Sequence, residues 1–539
     1  MGKENILASA ATSASYNMIL QLIFKVLTFG LNAVILRYIS REMLGVVNVR
    51  LTLLYSTVLF VTREAFRRVC LSQDGQRKWP EVINLLWCTF PLAIVCASVF
   101  GCIWIYLLEQ PNDVIVPYYR FGVVCFAFST VIEMIAEPLW VVGQSFLFVK
   151  LRVVIEGLSL AVRCILTVCL VVWFPELGLI SFSIAQLIFT LTYAVLYYVY
   201  FVLYINNVDV GEHFPFKSVR DFFPTHKKGA TWTSQKLVAL VWSFFKQSIL
   251  KQLLTEGEKY IMTIFGVLSW ADQGVFDVIS NLGSLAARFI FLPIEDSGYL
   301  FFSQTLHRGV SAKAQESNES FILATDVLKA LLKIVSIIGL IFLVFGYSYS
   351  YLLLNIYGGT MLSTGTGPTL LRWYCFYVLV IAINGTTECF VFAAMSKDDV
   401  DKFNKKMIVF SIIFLVSSLF FTSNVGSVGF IIANCLNMLA RICHSIYYIN
   451  KFYRETKYTP LQGAVPSLPV FLGFAGALLL TAASEYIFCC DQGWLYKVIH
   501  VGIGAVCLTV CIFVIYISEH DLILFVRSQY KKRHIKTEN

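Results

Sequence analysis

The chain has 539 residues, of which 58% are hydrophobic and 14% charged, and its formal net charge is +9. Apolar windows of 18 or more residues recur along most of its length, which excludes a soluble globular protein and is typical of an all-α polytopic membrane protein. The positive charge favours contact with membrane lipid or an anionic ligand over nucleic acid, because no hydrophilic basic domain is present to bind nucleic acid.

Fourteen apolar segments are long enough to cross a bilayer, and we number them spans 1 to 14. They lie near residues 14–38, 43–66, 82–108, 118–142, 152–174, 177–204, 240–267, 273–300, 321–346, 368–395, 405–423, 427–450, 468–488 and 494–517. Spans 7 and 8 are the most polar, and their apolar periodicity suits helices that keep one wet face. The sequence therefore predicts fourteen transmembrane helices.

The loops between the spans alternate in basic charge. Even-numbered spans are followed by lysines and arginines, as span 10 is by Lys397, Lys402, Lys405 and Lys406, whereas the loops after spans 5, 7 and 11 carry essentially none. The positive-inside rule then places both termini and every even-numbered loop in the cytosol. The short turn after span 1, with Arg37 and Arg41, is the exception. In this orientation the sequon Asn318-Glu319-Ser320 is cytosolic and should carry no glycan.

Weak internal matches recur in the same order along the chain. Residues 44–49 at the start of span 2 match residues 273–278 at the start of span 8, Glu137 matches Glu388, and residues 182–186 match 430–434. We predict an N-terminal six-helix bundle over 1–204, a cytosolic linker loop over 205–239, a C-terminal six-helix bundle over 240–455, and two additional helices with a basic tail over 456–539. Both halves then have the same topology, and ligand sites in such proteins usually lie between them.

The arginines inside the spans are the candidate ligand-binding residues, because an unpaired intramembrane charge is expensive. They are Arg37 at the end of span 1, Arg63 and Arg67 on one face of span 2, Arg288 in span 8 and Arg441 in span 12. A pyrophosphate suits arginine, whose planar guanidinium forms paired hydrogen bonds with phosphate oxygens. The alternatives are snorkelling to cytosolic headgroups or pairing with carboxylates, among them Glu64, Glu256, Glu258, Glu295 and Glu388.

Four intramembrane carboxylates have two readings each. Glu256 and Glu258 flank Gly257 in span 7 and serve either as ion-pair partners or as a proton or cation site that couples transport. Glu137 precedes Pro138, which predicts a kink in span 4, and Glu388 is its repeat partner without the proline. For both residues a packing or pairing role stands beside a cavity-facing one.

The chain also resembles the Rft family of endoplasmic-reticulum membrane proteins. The resemblance is carried by residues 33–71, with the runs GVVNVRLTLLYST and REAFRR, and by the later runs WSFFKQS (242–248), LTEGE (254–258), QGV (273–275), IYGGTML (356–362) and AMSK (394–397). It implies a role in the flipping of dolichol-linked oligosaccharide for N-glycosylation. The wider flippase superfamily (multidrug, oligosaccharidyl-lipid and polysaccharide transporters) implies two bundles in a V around a central cavity, with alternating access.

Three functions fit these observations to different degrees. The first is a transporter that moves dolichol-pyrophosphate oligosaccharide from the cytosolic to the lumenal leaflet, and the second is a non-transporting accessory factor that binds or hands on this lipid. The third is a dolichol-dependent glycosyltransferase, which is disfavoured because the longest hydrophilic segments are cytosolic and no Asp-Asp or Glu-x-x-His motif occurs. The absence of a nucleotide-binding motif excludes direct ATP drive. We therefore expect no enzyme activity, cofactor, metal, nucleotide or nucleic acid, and expect glycolipid and membrane lipid as partners.

Overall fold

The computed structural model describes residue 20 and residues 23–72, 78–207, 214–225, 232–489, 493–525 and 527–528. In these residues every regular element is a helix, which confirms the all-α class. Parts of span 1, of the linker loop 205–239 and of the basic tail lie outside the described residues.

The helices follow the predicted spans closely, so we number them α1 to α14 in the same order. They are α1 Ile23–Ile35, α2 Arg41–Leu71, α3 Trp79–Leu107, α4 (a bent pair, Tyr119–Met134 and Glu137–Ser145), α5 Lys150–Trp173, α6 Leu179–Asn206, α7 (a bent pair, Gln235–Leu253 and Gly257–Phe265), α8 Trp270–Thr305, α9 Glu319–Gly358, α10 Gly367–Ala394, α11 Lys397–Val425, α12 Val428–Tyr453, α13 Pro460–Phe488 and α14 Trp494–Ser518.

Length and composition qualify fewer than fourteen of these helices as membrane spans. Within the described ranges eleven qualify singly, and up to thirteen if each bent pair counts as one span, while α1 is shorter. A multi-span membrane protein is confirmed in this coarser form, and the number fourteen stays a prediction.

The bend in α4 has a local cause in the sequence. The two parts meet at 46° just before Pro138, which lies in the first turn of the second part. A proline has no N–H to bond the carbonyl four residues earlier, and its ring crowds that carbonyl, so the helix bends at this point. The kink predicted from Glu137-Pro138 is confirmed.

Wide π-helical turns occur where three arginines lie. Arg50 lies in the π-helical segment Gly45–Leu51 and Arg63 in Phe60–Glu64, both in α2, and Arg288 lies in Ala287–Phe291 of α8. Such turns are rare and are frequent at functional sites, although a fourth one, Ile103–Leu107 in α3, contains no arginine.

The chain divides into two compact units, Met1–Gly274 and Val275–Asn539. In the first, one apolar cluster packs the start of α2 against α3 and α4, and a second packs the rest of α4 against α3 and α6. In the second, one cluster joins α8, α9, α10 and α12, and another joins α9 to α13 and α14. By its contacts α7 belongs to the first unit, where it packs on the end of α2. The predicted bundle boundaries stay a prediction.

The starts of α2 and α8 touch through two glycines of the first unit. A Cβ at Gly45 would lie 2.0 Å from the carbonyl oxygen of Trp270, and a Cβ at Gly274 would lie 2.4 Å from that of Arg41. Both obstacles are backbone atoms, which cannot rotate away. Only glycine therefore permits this approach, and the two glycines are equivalent in the predicted repeat.

Candidate functional site

In the first unit two arginines of α2 meet two glutamates of α4. Arg63 donates to Glu133, whose other oxygen accepts a bond from the hydroxyl of Tyr55. The two arginines are four residues apart, as are Glu133 and Glu137, so each pair shares one face of its helix. The two helices thus contact each other through two consecutive ion pairs, Arg63–Glu133 and Arg67–Glu137.

The second of these ion pairs, between Arg67 and Glu137, is bidentate. Arg67 donates through Nε and Nη2 to the two carboxylate oxygens of Glu137, at 2.5 and 2.8 Å. The ring of Trp140 lies 3.6 Å from the guanidinium carbon, which adds a cation–π contact. Glu137 begins the second part of the bent helix α4 and is 1% exposed, so its carboxylate is desolvated.

The second unit contains a similar pair on other helices. Arg441 of α12 donates through Nε and Nη2 to Glu388 of α10, at 2.7 and 2.5 Å. Glu137 and Glu388 are equivalent in the predicted repeat, yet their arginines come from α2 and α12, which are not equivalent. Each unit thus holds one guanidinium in the fork geometry that also fits a phosphate.

Arg441 and Glu388 line a cavity of about 580 Å³ within the second unit. Its other polar lining residues are Glu295, Asp296, Tyr299, Arg308 and Asn384. Arg308 donates to the hydroxyl of Tyr299 at 2.8 Å. The cavity therefore combines two arginines and three carboxylates with neutral hydrogen-bonding groups, and this polar wall suits a hydroxyl-rich ligand.

Two of the five candidate arginines lie apart from these pairs. Arg37 is exposed just after α1. Arg288 is also exposed, and its Nη2 donates to the Asn281 carbonyl at 2.8 Å and to the Ser284 hydroxyl at 2.6 Å, both on its own helix. Neither residue lines the cavity of the second unit.

The glutamates of span 7 lie at the bend of α7. Glu256 pairs with Lys259 at 3.3 Å, one turn along the same helix. Glu258 lies in the first turn of Gly257–Phe265. Between the parts of α7 the bend is 73°, so these charges accompany a break in the helix. Glu256 therefore has the ion-pair partner that one of the two readings required.

Sequence reasoning missed Glu133, and it left Arg50 open between headgroup snorkelling and a cavity role. Glu133 was not among the expected partners, although its spacing of four from Glu137 mirrors that of Arg63 from Arg67 and was the signal available. Arg50 is fully buried, and its guanidinium has no hydrogen-bond partner in the part of the chain that the structure describes. The ring of Trp270, 4.5 Å away, provides a compensating cation–π contact.

No cluster of three or more His, Cys, Asp or Glu side chains able to hold a metal ion is found among the described residues. The polar groups that line the cavity of the second unit are guanidinium groups, carboxylates, phenol hydroxyls and an amide. Such groups bind and exchange anions and protons.

Comparison of the sequence with known proteins identifies relatives along nearly the whole chain. The family model described as Rft protein matches residues 9–529. The chain is similar to the "Man(5)GlcNAc(2)-PP-dolichol translocation protein RFT1" of Xenopus tropicalis, with 49% identity over 100% of both chains. The protein of the same name from Mus musculus is 47% identical over 98% of both chains.

Two solved structures share the fold. "Lipid II flippase MurJ, inward closed conformation" matches with a TM-score of 0.59 and 13% identity, over 94% of this chain and 99% of that one. A multidrug resistance MATE family transporter of the MOP superfamily, in an inward-facing conformation, matches with a TM-score of 0.52 and 12% identity, over 81% and 99% of the two chains. At this identity the likeness concerns the fold alone. The family match over nearly the whole length and the relatives above 45% identity show that the chain belongs to the Rft protein family.

Proposed function

We propose that this protein is a flippase for a dolichol-pyrophosphate-linked oligosaccharide, the lipid that its relatives' names give as Man(5)GlcNAc(2)-PP-dolichol. It would act in the endoplasmic-reticulum membrane and move the glycan from the cytosolic to the lumenal leaflet for N-glycosylation. Both termini would face the cytosol. It is a transporter, not an enzyme, and it uses no nucleotide.

The observation that carries this proposal is the Arg441–Glu388 pair on the wall of the 580 Å³ cavity. A pyrophosphate offers the guanidinium the same paired acceptor oxygens as a carboxylate does, so the headgroup can take the place of Glu388. The remaining hydroxyl and amide groups of the wall suit sugar hydroxyls.

The arginines of the first unit have the corresponding role in the proposal. Arg63 and Arg67 hold carboxylates of α4 in the resting state and exchange them for phosphate oxygens as the headgroup passes. Arg37 and Arg288 are exposed and would attract the anionic headgroup over a longer range. Glu137, Glu388 and Glu256 are then ion-pair partners that offset the cost of placing Arg67, Arg441 and Lys259 in the bilayer. We assign Glu258 to the same group.

The proposed architecture is that of the superfamily. It has fourteen spans, with two six-helix bundles in a V around a central cavity and two additional C-terminal helices. Alternating access would expose the headgroup site to each side in turn, while the polyisoprenoid tail stays in lipid.

A second candidate function has the same site. A non-transporting accessory factor would bind the lipid-linked oligosaccharide, or hand it on, through the same arginines, and it would not move it across the bilayer. A dolichol-dependent glycosyltransferase is less compatible with the cavity, because both oxygens of its carboxylate Glu388 are bound by Arg441.

N-glycosylation in cells that depend on this protein tests the proposed site. Removal of Arg441 alone leaves Glu388 unpaired and destabilises the fold, so the informative variant is the apolar pair R441M/E388L. Replacement of a buried ion pair by apolar residues of similar volume is often neutral for stability. We expect this variant to reach normal protein levels and to leave N-linked sites unoccupied, since no guanidinium remains for the pyrophosphate.

The matched control is R372M/E485L. Arg372 and Glu485 form an ion pair of 2.6 Å between α10 and α13, and neither residue lines the cavity. This variant should support normal glycosylation. Full glycosylation by R441M/E388L would show that the Arg441 pair is structural and would overturn the proposed headgroup site.

A further inference from the structure

The cavity of the second unit contains a carboxylate without a partner. Glu295 lies on α8 and lines the cavity beside Glu388 and Arg441. Among the described residues it forms no hydrogen bond and no salt bridge. Its neighbour Glu388 has both oxygens bound to Arg441, so the nearby guanidinium is already engaged.

Glu295 rests directly on the backbone of α10. A Cβ built at Gly385 would lie 1.6 Å from Oε1 of Glu295, so only glycine leaves room for this carboxyl group. Gly385 precedes Glu388 by three residues and lies on the same helix face. The absence of a side chain at Gly385 therefore lets the two carboxyl groups share one corner of the cavity.

Glu295 lies among several other ionisable side chains. The ionisable groups that face it are Asp296 on its own helix, Glu388 and the Cys389 thiol on α10, and Arg441 on α12, with Arg308 elsewhere on the cavity wall. With every group ionised, three carboxylates face two arginines, one of which is bound to Glu388. Two carboxylates that share a partly desolvated site cannot both stay ionised without a counter-charge.

A buried acceptor of the same cavity is also unsatisfied. Asn384 lines the cavity, is 6% exposed, and its side-chain oxygen has no hydrogen-bond donor among the described residues. A protonated carboxyl group, unlike an ionised one, brings an O–H donor into this cavity. This acceptor without a donor is an observation separate from the charges around Glu295, and it also favours the binding of a proton in the cavity.

We propose that Glu295 is a proton-binding site coupled to the occupancy of Arg441 by an anionic headgroup. The inference rests on the proposed function, because the coupling acts through the headgroup. A phosphate oxygen that takes the guanidinium of Arg441 leaves Glu388 without a counter-charge. One proton from solvent then forms an O–H bond on Glu295, and the carboxyl pair keeps a single negative charge. Headgroup binding therefore strengthens proton binding at Glu295. By linkage, protonation of Glu295 strengthens headgroup binding by the same factor.

The test is the pH dependence of binding of geranyl pyrophosphate, a short isoprenyl pyrophosphate, to the purified full-length protein. Dissociation constants are measured between pH 5.5 and 8.5 for the wild type and for E295Q, in which the amide imitates the protonated carboxyl. The ratio of the two constants cancels the titration of the probe itself. We expect a ratio near one at low pH, and a weakening of wild-type binding by up to about tenfold per pH unit where one proton is taken up.

The neighbouring carboxylate provides the control. D296N removes a charge from the same cavity wall and should keep the wild-type pH dependence. A ratio that stays constant across the pH range, or an equal loss of pH dependence in D296N, would overturn the assignment to Glu295. If E295Q does not fold, wild-type calorimetry in buffers of different ionisation enthalpy decides, since the account requires proton uptake beyond that of the probe.

The proposed function and this inference fail in different ways. If geranyl pyrophosphate does not bind to the wild type, or binds equally well to R441M/E388L, the headgroup site itself is wrong and the coupled proton with it. If it binds through Arg441 with no proton uptake assigned to Glu295, only the inference fails.

Discussion

Arg441 and Glu388 hold each other in a position that neither charge could occupy alone. Glu388 is 7% exposed, and both of its oxygens are bound to the guanidinium. Loss of one partner therefore leaves a desolvated charge, whereas loss of both leaves an apolar contact. The same reasoning applies to Arg67 and Glu137 in the first unit.

This difference gives a stability prediction for the pair. E388L alone should lower the free energy of unfolding by about 3 kcal/mol, because it strands the Arg441 guanidinium. R441M/E388L should lie within about 1 kcal/mol of the wild type. Unfolding in mixed detergent micelles measures both. A double variant as unstable as E388L would contradict the account, since the damage would then not come from an unpaired charge.

The sequence identified the arginines and named only one of their three partners, Glu388. Arg63, Arg67 and Arg441 stand out as charges in apolar spans, and that signal is local. The glutamates that bind them lie 70 and 53 residues away in the chain. Which of several carboxylates comes close depends on helix packing, which periodicity does not report. Glu388 was only one of five expected partners, and Glu133 was absent from them.

At the scale of the helix, the bounds were the most predictable feature. Hydropathy fixes where a segment can enter lipid, so α10 at Gly367–Ala394 lies within one residue of its predicted span. The extension of α9 to Gly358 was not predicted, since it continues beyond the predicted span 321–346. The bend of α4 was predictable because proline causes it locally.

The contact of α2 with α8 predicts an effect of single methyl groups. G45A and G274A should each destabilise the protein by about 1–3 kcal/mol, because the new Cβ meets a backbone carbonyl that cannot move aside. G476A is the matched control, a helix glycine with nothing within 4 Å of a new Cβ, and should be neutral or slightly stabilising. Melting temperatures in detergent compare the three. Equal melting temperatures for G45A and G476A would show that the helices do not approach so closely.

An ion pair joins Glu519, just after the end of α14, to Lys333 of α9, and the titration of Glu519 can be followed. Burial would raise the pKa of Glu519, but hydrogen bonds from Lys333 Nζ at 2.6 Å and from the Ser467 amide at 2.8 Å lower it overall. A carboxyl with a depressed folded-state pKa stabilises the fold above its unfolded pKa, and this contribution disappears as pH falls through the folded value.

The melting temperature of the wild type should therefore fall as the pH is lowered below the ordinary glutamate value of about 4.5. E519Q should melt lower than the wild type at neutral pH and lose less on acidification. Circular dichroism melts between pH 3 and 7 provide the measurement. Parallel curves for the two proteins would show that Glu519 contributes nothing through its charge.

For the whole molecule, orientation is the prediction that governs how the site works. The alternation of basic loops predicts that Asn318 lies in the cytosol. Its side chain caps the start of α9 by accepting a bond from the Ser320 amide. The natural sequon at Asn318 should therefore stay unmodified in cells. A mobility shift removed by endoglycosidase, and abolished by N318Q, would reverse the proposed orientation and the direction of transport.

Movement of the glycolipid by the protein itself is what distinguishes a flippase from an accessory factor. Purified protein is reconstituted into vesicles without nucleotide, with labelled dolichol-pyrophosphate oligosaccharide, and transbilayer movement is timed. We predict acceleration by the wild type and by R372M/E485L, and the rate of protein-free vesicles for R441M/E388L. Wild-type protein that binds the glycolipid but leaves its movement at the protein-free rate would contradict the account and favour the accessory factor.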